Sequence, residues 1–401
     1  MEIATSYALL FAVYQSVSYG HDPDVWKDAC QLITSKGYPC EEHQVTTEDG
    51  YILTMHRIPH GHPTPEHPTT IPTENRSAVV LMHCLECDAT IFITNFPDQS
   101  LGFILADAGY DVWLPNARGS KYSRTHTSLK QTQFAFWEWT WDEIAYYDLP
   151  AVVDYVTQFV NQTQINYVGY SQGTMIGFAG FSYNSHLAAK VKFFGALAPV
   201  AQLGGVTSVI RYFTGLVEKL QWVYRLLGYG LFFPPTKLMN LAEAQICSNV
   251  DILFKPACTE VYYLVAGQED TRQLNTSRLD VYFSHTPSGT STLNVNHYAQ
   301  QVDSGVFQAY DWGSRHKNNK HYGTPTPPVY NAWNVTIPTA LFHGKQDALA
   351  DPLDVAWLEK ELGHVVFSRQ YDQFNHLDFA WGLDCRYSVY PDLLSQLAQY
   401  N

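Results

Sequence analysis

Positive charge is scarce in this chain: 24 lysines and arginines stand against 38 aspartates and glutamates among 401 residues, for a formal net charge of -14 at pH 7. No basic cluster and no stretch of interleaved arginines and aromatics offsets that balance, which excludes a nucleic-acid partner. Long apolar runs are lacking too. Nothing after the N-terminus is long and apolar enough to span a bilayer, so no transmembrane segment is expected. Cysteine occurs seven times, an odd number that leaves at least one thiol unpaired if all the others bridge internally. Cys84 and Cys87 have Cys-x-x-Cys spacing, but a second pair of ligands and a thioredoxin-like context are both missing, which argues against metal or redox duty. Cys247 and Cys258 enclose a short loop and are the best disulfide candidates, with Cys30 and Cys40 a second possible pair.

Hydrophobic residues make up 46% of the chain, enough for a large core in one big domain or a domain with an insertion. Thr5 to Ser18 is a modest apolar stretch that ends in the small residues Ser16, Ser18 and Gly20. It reads as a secretory signal over residues 1–20, although its leading segment carries Glu2 and no lysine or arginine. Sequons at Asn75, Asn161, Asn275 and Asn334 are compatible with export and glycosylation.

The stretch around which the chain is organised runs from Ile165 to Gly180. A β-branched and aromatic run, Ile165 to Tyr170, stops at Gly169-Tyr170-Ser171-Gln172-Gly173, and a helical pattern follows at once. Strand, tight turn and helix with a serine at the apex form a nucleophile elbow, in which neighbours two residues away must lack side chains to avoid collision. Gly173, Gly177 and Gly180 recur at helical spacing, so one bare helix face can lie close to the sheet.

Ahead of this element, Trp26 to Gly37 predicts a short helix and Glu41 to Pro59 a hairpin turning at Glu48-Asp49-Gly50. Ile58 to Ser77 is a loop rich in proline, threonine and histidine, whose His60, His62 and His67 are read as solvated. Ala78 to Met82 is a buried-type strand, Leu101 to Ala108 a helix, Tyr110 to Leu114 a strand and Asp142 to Val160 a longer helix. With Val191 to Pro199 as a further strand, the rhythm is that of a mostly parallel sheet with crossovers. Ser171 then lies at the carboxyl edge of a central strand, where open α/β sheets place their ligands.

From about Leu203 the rhythm changes. Val209, Phe213, Leu216, Val217 and Leu220 mark a helical stripe, and Trp222, Val223, Leu226, Leu227 and Leu231 to Phe233 prolong an apolar stretch. Residues 203–330 are expected to be an inserted, mainly helical cap, whose greasy residues are either cap core or a lid facing an apolar substrate. The cap divides a core made of residues 21–202 and 331–401. In the second part Ile337 to Phe342 predicts a strand, Leu353 to Leu362 a helix, Val365 to Gln370 a strand and Pro391 to Tyr400 a final helix.

A serine nucleophile needs a base, and the base an orienting acid. In chain order Ser, acid, His, each after a strand, the base falls on His376, while His343 and His364 suit structural places. Among Asp347, Asp351, Asp354 and Asp372, Asp347 is preferred because it lies in the loop directly after a strand, whereas Asp351 before Pro352 suits a helix start. The oxyanion donors are expected to be the backbone N–H of Gln172 and that of Leu85, after the strand Ala78 to Met82. No metal or organic cofactor is implied.

The residues that surround these positions resemble the acid lipases, the family of gastric and lysosomal acid lipases. The likeness runs through Gly37-Tyr38-Pro39-Cys40-Glu41-Glu42, Thr47-Glu48-Asp49-Gly50-Tyr51-Ile52-Leu53, Leu105 to Trp113, Asn116 with Arg118-Gly119, Tyr147 to Ala151, Asp311-Trp312-Gly313-Ser314 and His376-Leu377-Asp378-Phe379 with Trp381-Gly382. The resemblance implies an α/β-hydrolase fold with a cap and mobile lid, hydrolysis of neutral-lipid esters at a lipid–water interface, secretion or lysosomal residence, and glycosylation. It places nucleophile, acid and base on Ser171, Asp347 and His376, the oxyanion donors on Leu85 and Gln172, and a cap disulfide on Cys247 and Cys258. One departure stands out. Where the family has His-Gly-Leu-Leu-Gly, this chain has His83-Cys84-Leu85-Glu86-Cys87. A side chain at 84 is expected to alter the angle that aims the Leu85 N–H, and an ionised, inward-pointing Glu86 would oppose the developing oxyanion charge. The alternative function is therefore a lipase-like protein that binds or carries lipid with weak or no catalysis.

Overall fold

The structure, a computed structural model, describes residues 22–62, 76–215, 230–232, 260, 263–267 and 273–401. The expected leader, the Asn75 sequon, His67, the Cys247–Cys258 pair and the stripe beyond Gly215 lie outside the described residues.

Eleven strands are described: β1 Glu41–Thr46, β2 Tyr51–Ile58, β3 Ala78–Met82, β4 Asp111–Pro115, β5 Thr125–His126, β6 Ile165–Tyr170, β7 Val191–Leu197, β8 Leu231–Phe232, β9 Thr290–Ser291, β10 Thr339–Gly344 and β11 Val365–Tyr371. Nine belong to one sheet of order β1-β2-β4-β3-β6-β7-β10-β11, with β5 paired to β2. From β4 to β11 neighbours are parallel, and β1, β2 and β5 join antiparallel. The chain has an α/β-hydrolase fold. Every residue of β3, β4, β6 and β10 is buried, because crossover helices cover both faces of a parallel sheet and water reaches neither. The edge strand β1 instead alternates half-buried and exposed positions, as a one-faced strand should.

Among the described residues the α-helices of seven residues or more are α1 Ala29–Ser35, α2 Leu101–Asp107, α3 Leu149–Phe159, α4 Gln172–Tyr183, α5 Leu279–His285, α6 Thr292–Ser304, α7 Arg315–Tyr322, α8 Pro352–Glu361 and α9 Val389–Ala398. Three departures from the expected elements have local causes, and a fourth adds strands. The helix expected over Trp26 to Gly37 is split, because Lys27 and Asp28 are extended and Asp28 then caps α1 through a reciprocal bond with Gln31. The helix expected from Asp142 begins one residue earlier, at Trp141, after a Thr140–Glu143 capping box, and passes through a π-helical turn at Ile144–Asp148 before α3. The strand expected from Ile337 starts at Thr339, because Pro338 has no N–H to give the ladder while its carbonyl still accepts from Phe194 N–H at 2.9 Å. Between β7 and β10, where few strands were expected, β8 and β9 form a two-stranded pair.

The Cys30–Cys40 disulfide ties α1 to the chain entering β1. Arg118, fully buried, holds the opening hairpin to the sheet's helical cover. Its guanidinium makes paired contacts of 2.6 and 2.9 Å with Asp49 in the hairpin turn, and 2.6 to 2.8 Å contacts with Asp148, and lies 4.1 Å from the centre of the Tyr51 ring. Burial alone would discourage its charge, yet the two carboxylates raise its pKa further. Removing the cation leaves Asp148, itself buried, uncompensated. Arg118→Met is expected to lower unfolding free energy by roughly 3–5 kcal/mol, measured as the shift in urea midpoint at constant slope.

Candidate active site

The parallel ladder sets the site. Met82 pairs with Gly169, Tyr170 with Leu197, and Gly344 with Tyr371, so the loops after β3, β6, β10 and β11 leave the sheet along one carboxyl edge. Ser171 follows β6 directly, at φ 54° and ψ -115°, a left-handed backbone that a side chain adopts only at a cost of order 1–3 kcal/mol. The turn can close because its glycines lack side chains: a Cβ on Gly169 would lie 2.6 Å from the Gly173 carbonyl, and one on Gly173 would lie 2.2 Å from the Met82 carbonyl. The bare face of α4 meets more than the sheet. Position 177 faces Phe194 and Tyr167 of the sheet, whereas position 180 faces Leu149 of α3 and the Ala145 carbonyl.

At the apex, Ser171 Oγ lies 2.7 Å from His376 Nε2. His376 Nδ1 lies 2.9 and 3.0 Å from the two oxygens of Asp347. Asp347 is aimed by the N–H groups of Leu349 and Ala350, which donate to its Oδ1 at 2.9 and 2.7 Å. The imidazole is steadied by Tyr170, whose ring stacks on it at 5.7 Å and whose hydroxyl donates to the His376 carbonyl. All three side chains of the Ser–His–Asp chain are buried. The other carboxylates are engaged elsewhere: Asp351 caps α8 through Leu353 N–H, Asp354 accepts from Gln202 and Gly205, and Asp372 faces Lys345. His343 lies within buried β10, and His364 contacts the Thr336 carbonyl.

The loop after β3 carries what sequence reasoning missed. Cys84 and Cys87 form a disulfide, a pairing that their spacing alone did not distinguish from two thiols. Cys385 is free and buried, its Sγ donating to the Asp378 carbonyl. The Cys84 carbonyl accepts from His83 Nδ1–H at 2.8 Å and from Cys87 N–H at 3.3 Å. Ala117 N–H donates to the other ring nitrogen of His83, which fixes this tautomer. Among the described residues, neither Leu85 N–H nor Gln172 N–H is taken by another group. Glu86, not Cys84, adopts the left-handed backbone of the loop, at φ 58°. Its carboxyl points to the segment before β9 and accepts from Gly289 N–H at 2.9 Å. Burial pushes that carboxyl up to about 8, against the weaker pull of Gly289 N–H and the Arg124 charge, which favours its neutral form in acid. Turned to Gly289 and favoured as the neutral acid, it opposes an oxyanion less than an ionised, inward-pointing Glu86 would.

Of the other sequence-marked positions, Asn161 and Asn334 are exposed, while Asn275 is half-buried and its Oδ1 accepts from Ser277. Gln172 has a role the sequence did not signal. Its side-chain carbonyl accepts from Asn294 Nδ2 at 2.8 Å and Tyr298 OH at 3.2 Å, both on α6.

Comparison with known proteins bears on this site as a whole. Residues 29–96 match the family model for the partial alpha/beta-hydrolase lipase region, and residues 79–383 match that for the alpha/beta hydrolase fold. Human gastric triacylglycerol lipase is 42% identical over 382 residues, covering 94% of this chain and 92% of its own. Human lysosomal acid lipase/cholesteryl ester hydrolase is 40% identical over 379 residues, covering 94% and 92%. A solved structure from Sulfolobus solfataricus superposes with a TM-score of 0.58 at 14% identity, covering 90% of this chain and 99% of that one, a likeness of fold alone.

Buried carboxyls give the molecule a pH signature. Besides Glu86, Asp142 is raised by burial, and Glu143 by burial and then by the Asp142 charge. An acid with a folded pKa above its unfolded value binds its proton more tightly when folded, so its stabilisation is full below about 4 and is lost as pH climbs towards the folded value. Asp24 works the other way. Burial opposes its ionisation, but Lys27, Lys36 and Arg278 hold it well below the usual carboxylate range, and its stabilisation is lost as pH falls below the ordinary aspartate value. The melting temperature is therefore expected to be highest near about pH 4 and to decline towards about pH 8. Glu86→Gln should flatten the part of that decline above about pH 6, which a series of melting curves measures.

Proposed function

The chain belongs to the acid-lipase family of α/β-hydrolases and is an ester hydrolase, and from that premise we propose that it cleaves fatty-acyl esters of neutral lipids, triacylglycerols or sterol esters, at a lipid–water interface. The observation that carries this reading is the hydrogen-bonded chain Ser171–His376–Asp347, with Ser171 on a left-handed elbow at the carboxyl edge of the sheet. The names of the relatives support the substrate class: one acts on triacylglycerol, another on cholesteryl esters.

In this proposal His376 Nε2 takes the proton from Ser171 as the hydroxyl oxygen attacks the acyl carbonyl. Asp347 holds the ring in the Nδ1–H tautomer and stabilises the imidazolium. The N–H groups of Leu85 and Gln172 receive the negative charge that develops on the carbonyl oxygen. His376 then protonates the departing alcohol, and in the second half it deprotonates a water that releases the fatty acid from Ser171. The proposal extends to a leader over residues 1–20, a cap over 203–330 within a core of 21–202 and 331–401, a Cys247–Cys258 bridge in that cap, glycans on the four sequons, and a secreted or lysosomal destination.

Ser171→Ala is expected to abolish turnover of a long-chain triacylglycerol emulsion and labelling by a fluorophosphonate, with the melting temperature unchanged. Asp347→Asn should lower kcat by on the order of 10⁴ through the wrong tautomer. A wild-type protein that binds lipid but neither turns it over nor takes the label would favour the lipid-carrier alternative instead.

A further inference from the structure

The loop that presents Leu85 is attached to the stretch before α6 at three points. Ser288 N–H donates to the Glu86 carbonyl at 2.6 Å, Gly289 N–H to the Glu86 carboxyl at 2.9 Å, and Ser288 Oγ to Asp88 at 2.7 Å. Ser288 is itself anchored, its hydroxyl accepting from Lys121 N–H and its carbonyl from Arg124. Six residues beyond Ser288, Asn294 Nδ2 donates both to Thr290 Oγ1 and to the side chain of Gln172, and Tyr298 adds a second donor to that side chain. One stretch, residues 288–298, thus grips the side chain of Gln172 and the residue that directly follows Leu85.

The peptide geometry makes that grip consequential. Leu85 N–H belongs to the same planar unit as the Cys84 carbonyl and points opposite to it. Two donors hold that carbonyl, and the Cys84–Cys87 bridge closes the turn on its other side. Glu86 is the next link, and its side chain reaches Gly289 while that of Asp88 holds Ser288.

We propose that Glu86 is a positioning residue for ester hydrolysis, a clasp that ties the oxyanion loop to residues 288–289 and so fixes the direction of the Leu85 N–H. The clasp rests on the reading of Leu85 and Gln172 as oxyanion donors. It needs an acceptor at the carboxyl position and not a charge. Glutamine supplies the acceptor at the same reach, while aspartate withdraws it by one methylene.

The test is steady-state hydrolysis of a water-soluble short-chain fatty-acyl ester by Glu86→Ala, Glu86→Asp and Glu86→Gln, with Ser171→Ala as reference. Mis-aiming one donor acts on the transition state more than on ground-state binding, so Ala and Asp are expected to lower kcat by about ten- to a hundredfold with KM within about twofold. Gln should keep kcat within about twofold of wild type. If Ala does not fold by circular dichroism, Asp carries the comparison. Unchanged kcat in the folded shortened variants, or a fall in Gln as deep as theirs, overturns the clasp while the Ser171→Ala loss still stands. Turnover that survives in Ser171→Ala overturns the hydrolase reading itself.

Discussion

Everything at this site depends on the backbone of one residue. Ser171 is held at φ 54° because β6 ends beneath it and α4 begins immediately after it, and glycines at 169 and 173 remove the collisions that would otherwise open the turn. A strained residue persists only where its surroundings over-determine it. Here they do so through a fully buried strand on one side and a twelve-residue helix on the other. The imidazole and carboxylate that meet the serine are attached to neighbouring strands of the same sheet, so their spacing is inherited from the 4.7–4.9 Å separation of strands and not from loop packing alone.

The polar interior follows a similar logic. Arg118, Asp49 and Asp148 bind the first hairpin to the stretch leading into α3, and Arg278 reaches from the region before α5 to Asp22 and Asp24 near the start of the described chain. Such buried pairs cost much to desolvate and are weak evidence of net stability. Their contribution is to register: each joins segments far apart in sequence at one permitted place.

Much of this was legible in the sequence, for physical reasons that differ by element. The buried strands announced themselves as uninterrupted apolar runs, Ala78 to Met82 above all, because both faces of a parallel sheet are dry. Ser171, Asp347 and His376 could be singled out because chain order and position after a strand constrain them together, and the structure brings those three side chains within hydrogen-bonding distance. The late start of β10 was legible in principle, since Pro338 cannot donate to a ladder. Pairings across long sequence distances were not. Nothing in a linear reading connects Glu86 to Gly289 or Gln172 to Asn294 and Tyr298, because these bonds arise only after the sheet has placed its loops. The Cys84–Cys87 bridge was hidden for another reason: four residues with that spacing serve metals, redox exchange and structural closure alike.

His83 gives the loop after β3 a property beyond its shape. Both ring nitrogens are committed, Nδ1–H to a carbonyl and Nε2 to the Ala117 N–H, and burial holds the pKa below the ordinary histidine value. A proton added to Nε2 would set one donor against another in a dry cavity, so this ring resists charging by acid more than a solvated histidine does.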